Sequence, residues 1–204
     1  MKQGSSEYHL CAIIKQHKSM NTKIVICAAL ALAGSARAGL AQTAPPRWGI
    51  ETELVQPFIP DVEIYRVQAT YTLTGAARTN RGDLLLGAYI RPNIKHDVVE
   101  KINEYMAVVG YRQYVWRGLH VEGKSNMGYA WGTKNLVDDK DYNGATWFWE
   151  ANAGYQFAFK GRGKAGLYVI PQFGVISSLV ADIGPRNGKP DTFLQGNLLV
   201  GFQF

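Results

Sequence analysis

Residues 147–159 read WFWEANAGYQFAF. Trp147, Trp149, Ala151, Ala153, Tyr155, Phe157 and Phe159 share one parity; Thr146, Phe148, Glu150, Asn152, Gly154, Gln156 and Ala158 share the other. A helix brings side chains round every ~3.6 residues and cannot keep an apolar group at each second position over so long a run. An extended strand does so by construction, because successive side chains point to opposite faces. The stretch is therefore read as a strand with one apolar face and one mixed face.

The same alternation recurs along the chain. It predicts eight strands, at 48–56, 62–73, 82–91, 104–116, 119–131, 145–159, 165–176 and 192–204. No later window offers the ~18 successive apolar residues of a membrane-spanning helix. The joins fall into two sets: 57–61, 92–103, 132–144 and 177–191 on one side, 74–81, 117–118 and 160–164 on the other. Apart from the first, the former set is long and the latter short. Long loops alternating with tight turns are expected of a barrel whose two termini share a side.

The amino terminus is expected to stand outside this fold. Residues 20–38, MNTKIVICAALALAGSARA, have the three parts of a secretory signal: Lys23, an apolar run from Ile24 to Ala33, and the small-x-small site Ala36-Arg37-Ala38. Residues 1–19 match neither core nor signal, so Met20 is the expected initiator and the preceding stretch a mis-assigned start or disordered. Residues 39–47 are read as a short periplasmic leader and 48–204 as the barrel. Both cysteines, Cys11 and Cys27, precede the expected cleavage. Disulfides, thiol catalysis and Cys-based metal sites are then excluded. The full chain has 22 Lys and Arg against 16 Asp and Glu; residues 39–204 hold 17 and 15, so the net charge falls from +6 to +2. A nucleic-acid partner loses its main support.

Volume decides which face turns inward. An eight-stranded barrel encloses room for modest side chains or one small ligand. A soluble, lipocalin-like barrel would have to pack the aromatic residues of every strand inside and would be overfilled. The apolar faces are therefore expected outward, against lipid. Trp131, Tyr129, Trp147 and Tyr65 then form one aromatic rim, and Phe202, Phe204, Trp116 and Tyr71 the other. The interior receives Glu51, Glu53, Arg66, Gln68, Arg91, Arg112, His120, Glu122, Lys124, Glu150, Gln156 and Gln172. Buried charges persist when paired, so a lumen plugged by salt bridges is expected rather than a general pore.

The last residues, LLVGFQF at 198–204, alternate in the same way and end on an aromatic. This stretch resembles the closing strand and assembly signal of bacterial outer-membrane β-barrels. In length, strand number and terminal phenylalanine the chain resembles the OmpA/OmpX class. The resemblance covers 48–204 as a pattern and transfers no functional residue. It implies an all-β fold: a closed antiparallel transmembrane barrel, wound as an up-and-down meander in the cell outer membrane with periplasmic termini. It also implies a monomer whose partners are outer-membrane lipids, lipopolysaccharide and the barrel assembly machinery. The implied role is structural or surface-interacting, through loops at 92–103, 132–144 and 177–191. A lipid-modifying enzyme (acyl transfer or deacylation) and a narrow solute channel are the alternatives.

Four motifs bear on chemistry. Asp139-x-Asp141-x-Asn143-Gly144-x5-Glu150 has calcium-loop spacing, but no helix flanks it and Glu150 is expected to face the lumen. Arg81-Gly82-Asp83 spells an integrin-binding tripeptide and is read as a turn on the terminus side. Gly161-x-Gly163-x-x-Gly166 matches a dinucleotide fingerprint without the helix that would hold a pyrophosphate. His120 could serve as the base of an acyl-transfer site, but it is followed by Val121-Glu122, where a deacylase of this kind would carry serine. The expected role is a lumenal histidine bonded to Glu122 or Glu150, with His96 in a loop. No catalytic residue, cofactor or metal ligand is assigned.

Overall fold

The computed structural model describes residues 47–60, 62–73, 81–95, 99–181 and 192–204. The proposed signal peptide, the stretch before it, most of the 39–47 leader and His96 lie outside the described residues. Nine strand segments follow in order: β1 (Trp48–Glu53), β2 (Tyr65–Thr72), β3 (Gly82–Ile94), β4 (Val99–Trp116), β5 (Leu119–Asn135), β6 (Tyr142–Tyr155), β7 (Phe157–Ala158), β8 (Gly166–Ala181) and β9 (Thr192–Gln203). From Phe148 onward β6 and β7 face β8 in one register, Gly154 opposite Gln172 and Phe157 opposite Val169, and so make one stave. Every neighbouring pair is antiparallel, and β1 closes on β9 through Ile50 opposite Phe202 and Thr52 opposite Val200. The result is an eight-stranded, closed, up-and-down barrel. Closure pairs each stave with a neighbour on both sides over the middle of the wall, where no sheet edge is left among the described residues.

Parity runs as the alternation requires. Trp147, Trp149 and Phe157 are exposed, as are Leu86, Val109, Trp116, Val121, Tyr129, Trp131 and Phe173. Glu51, Glu53, Arg66, Gln68, Arg112, His120, Glu122, Lys124, Glu150, Gln156 and Gln172 are buried. Arg91 is half-buried at the far mouth, 3.8 Å from Glu104. Aromatic rings gather at both ends of the wall. Trp48 packs on Tyr71 and Phe202 stacks with Phe204 at the end near the first and last strands' termini, while Tyr105, Tyr129 and Trp131 cluster at the far end.

The joins at the far end differ from expectation. β3 and β4 meet across residues 95–98 instead of 92–103, and β5 and β6 across 136–141 instead of 132–144. The first join is longer than expected, running from Leu54 to Ile64 with a 3-10 turn at Gln56–Phe58. The charged and turn-forming residues that looked like loop are strand because the polarity inverts there. Beyond the Tyr105–Trp131 rim, Glu100, Lys101, Thr133 and Lys134 are exposed, while Ile94, Val99, Ile102 and Ala130 form a buried cluster on the inner side. The strands continue with the ordinary pattern of a protein in water. β3's outer edge at this height carries Pro92 and a bulge, where Asn93 takes a left-handed φ of 53° and donates its N–H to Asn103 Oδ1 at 2.8 Å. Both features blunt an edge against pairing.

The β1–β9 seam offers a direct check of closure. With Thr52→Cys and Val200→Cys in a chain whose Cys11 and Cys27 are replaced by serine, an intramolecular disulfide is expected under mild oxidation. Mass spectrometry after thiol alkylation detects it; free thiols at both positions would mean an open sheet.

Candidate functional site

The chemistry of this molecule is concentrated inside the barrel. Arg112 on β4 aims its fork at two carboxylates: Nη1 and Nη2 donate to Glu51 Oε1 and Oε2 at 2.6 and 2.8 Å, and Nε donates to Glu122 Oε2 at 2.7 Å. Glu122 and Glu150 hold Lys124 between them, at 2.8 and 3.4 Å. Glu150 accepts in turn from Arg66 Nη2 at 2.5 Å and Asn126 Nδ2 at 2.8 Å. The six charges alternate in sign along the chain Arg66–Glu150–Lys124–Glu122–Arg112–Glu51 and sum to zero. Tyr168 and Gln68 also donate to Glu51, Gln172 to Glu122 and Gln195 to Glu150. The Arg66 guanidinium lies 5.5 Å from the centre of the Tyr89 ring on β3, a cation–π distance. Two inward glycines make room for this network. A Cβ at Gly110 would stand 2.6 Å from Lys124 Cγ, and one at Gly154 would crowd Gln172 and His120 Nε2.

A second cluster closes the end near Trp48 and Phe204. Arg81 is bidentate to Asp83, with Nε to Oδ1 at 2.8 Å and Nη2 to Oδ2 at 2.5 Å. Its guanidinium covers the Tyr114 ring at 4.8 Å and reaches Gln203 Oε1 at 3.4 Å. The Arg-Gly-Asp tripeptide is therefore not an exposed turn: its two charges neutralise each other inside the wall. Opposite, near the far end, Glu53 Oε1 accepts the N–H groups of Val55 and Leu198, and Gln56 Nε2 donates to Asn197 Oδ1. Above these the lining turns apolar, with Ile64, Tyr89, Met106 and Val108 packed against Val62 and Phe148.

His120 is buried, but its partners are not the expected glutamates. Nδ1 faces the Gly118 carbonyl at 3.1 Å and Nε2 faces Gln172 Nε2 at 3.1 Å. Gln172 then bonds Glu122 at 3.2 Å, so the histidine touches the ionic network only through an amide. The calcium-loop residues are dispersed. Asp141 accepts the Lys134 N–H, Asn143 accepts from Tyr129 Oη, and Glu150 lies in the ionic network. Among the described residues no cluster of His, Cys, Asp or Glu could hold a metal ion. Gly161 and Gly163 take positive φ in the hairpin that joins β7 to β8, which is what a tight turn demands of glycine.

Asp83, Glu104, Tyr89, Tyr114 and Tyr168 also line the interior, and the residue-by-residue reading missed them. Parity alone could have found most of them. Asp83 and Tyr89 alternate with Arg91, Tyr114 follows Arg112 by two, and Tyr168 precedes Gln172 by four. Comparison of the chain with family models, curated proteins and solved structures gives no match.

Removing one arm of a buried ion pair leaves the other charge uncompensated. Arg112→Met is expected to lower stability by about 3–5 kcal/mol in urea unfolding. Lys134→Gln, whose ion-pair partners are exposed, should change stability by less than about 0.5 kcal/mol.

Proposed function

We propose that the chain is a small outer-membrane β-barrel whose lumen is plugged by salt bridges, with a structural or surface-interaction role. The observation that carries this reading is the reversal of polarity along the wall. Between the two aromatic rims the outer face is apolar and the inner face ionic. Past Tyr105 and Trp131 the two exchange, as a wall leaving hydrocarbon for water would require. Leu119 and Trp131 bound the outer face of β5, twelve residue steps apart. At about 3.3 Å per step and a tilt of about 40° that is about 30 Å along the axis, close to the ~30 Å of a hydrocarbon core. A soluble protein seldom exposes an apolar belt of this extent.

The closed-lumen reading is supported by the Arg66-to-Glu51 chain, which crosses the interior, and by the apolar cluster above it. Against an acyl-transfer enzyme stand the position of His120, beside the β4–β5 turn, and the amide and carbonyl that occupy its two nitrogens. Its place in the fold suits a packing role. Adhesion or ligand contact would fall to the far-end hairpins, where Leu136 and Val137 are exposed beside Asp138, Asp139 and Asp141.

Three outcomes are expected. The protein should appear in outer-membrane fractions and migrate faster unheated than boiled on a denaturing gel. In planar bilayers it should pass no hydrophilic solute current above leak. Lipid A mass spectra should be the same with wild-type protein and with His120→Ala. Unshifted gel mobility in those fractions would remove the barrel-in-membrane reading; a steady conductance would remove the plug.

A further inference from the structure

The outer wall is not evenly filled. Across β4, β5, β6 and β8 lies a concavity of about 500 Å³. Its floor is Gly123, Ala151 and Ala153, and its walls include Tyr111, Val121 and Phe173. These positions lie side by side in the ladder, with Tyr111 opposite Gly123, Gly123 opposite Ala151, and Val121 opposite Ala153, which in turn faces Phe173. The floor is open because a Cβ at Gly123 would meet nothing within 4 Å. The groove lies in the half of the wall nearer the Trp48–Phe204 end. From Val121 to Arg117 is four residues, about 13 Å of strand.

Below the groove the surface changes character. Exposed Trp116, Phe157, Phe159 and Leu167 form a band, and beneath it the β4–β5 and β7–β8 turns carry Arg117, Lys160, Arg162 and Lys164, all exposed. Arg117 lies 4.9 Å from the centre of the Trp116 ring, which places its charge at the band. No exposed acidic side chain accompanies these cations among the described residues; Asp83, the acid at this end, is buried against Arg81. The opposite rim is mixed, with Glu100, Asp138, Asp139 and Asp141 among its lysines. An apolar groove that ends on a cluster of cations with no exposed acidic side chain among them complements a molecule with a hydrocarbon tail and an anionic head.

We propose that the groove and the two basic turns bind one anionic phospholipid of the leaflet on the terminus side, its acyl chain along Gly123, Ala151 and Ala153 and its phosphate at Arg117, Lys160, Arg162 and Lys164. This inference rests on the outer-membrane reading above. Its cause is twofold: packing against a floor of small residues, and attraction of the phosphate by basic residues at a membrane surface.

The test uses the full chain refolded into phosphatidylcholine vesicles containing brominated phosphatidylglycerol or brominated phosphatidylcholine, with tryptophan quenching as the readout. A preference for phosphatidylglycerol of about fivefold or more is expected. It should fall to near unity in the Arg117→Gln, Lys160→Gln, Arg162→Gln, Lys164→Gln combination and in wild-type protein at high salt. Gly123→Leu, which fills the floor and leaves the charges alone, should also weaken it. Equal quenching by the two lipids in a protein that floats with vesicles would overturn the proposal while leaving the membrane reading intact. A preference that survives both the turn substitutions and salt would overturn it too. A chain that floats with neither lipid would instead remove the membrane reading on which it stands.

Discussion

Arg112 holds Glu51 and Glu122 together in the middle of the barrel, all three shielded from solvent. Taking charges out of water costs several kcal/mol for each ion, and the planar guanidinium recovers that cost only if its donors meet carboxylate oxygens in the right geometry. Those oxygens come from β1 and β5, while the guanidinium comes from β4. The fork therefore forms in one register of the wall. A slip of one residue in β4 would turn Arg112 outward, and Tyr111 and Gln113 inward. Stability here is the smaller consequence; selection of a single arrangement is the larger one.

The remaining architecture follows from that choice of interior. Once the ionic side chains are inside, the alternate positions must be outside, and these are tryptophan, tyrosine, phenylalanine, leucine and valine. Such a surface suits a hydrocarbon solvent. Where the strands rise past Trp131, Lys101 and Thr133 are exposed while Val99 and Ile102 are buried, so the polar residues of the wall lie outside at that height. The basic turns at the opposite end add a second gradient, of charge, along the same axis. The apolar belt and the ionic interior are two consequences of one alternating pattern, and the basic rim is set by the turns that join the strands.

Much of the barrel was legible in the chain. The run from Trp147 to Phe159 named its strand, and Arg117-Gly118 named its turn. The parity of Glu51, Arg66, Arg112, Glu122 and Glu150 placed them inside. Less legible was the height of the wall: Glu100, Lys101 and Lys134 look like loop residues when strands are recognised by apolar outer faces. Asp83 was hidden for a related reason, since a charge next to Arg81 and Gly82 reads as turn chemistry, and only burial shows that the pair satisfies itself within the wall.

What the sequence by itself determined is period, parity and therefore the contents of each face, because a strand sends neighbouring side chains to opposite sides whatever it packs against. Partnership was decided by the tertiary structure alone. That Arg112 meets Glu51 sixty-one residues away, that His120 turns to Gly118 and Gln172 and not to Glu122, and that Gly123 and Ala153 lie together as the floor of a groove all depend on the register in which eight staves close. Register is a property of the whole ring, since each ladder constrains the next until β9 meets β1.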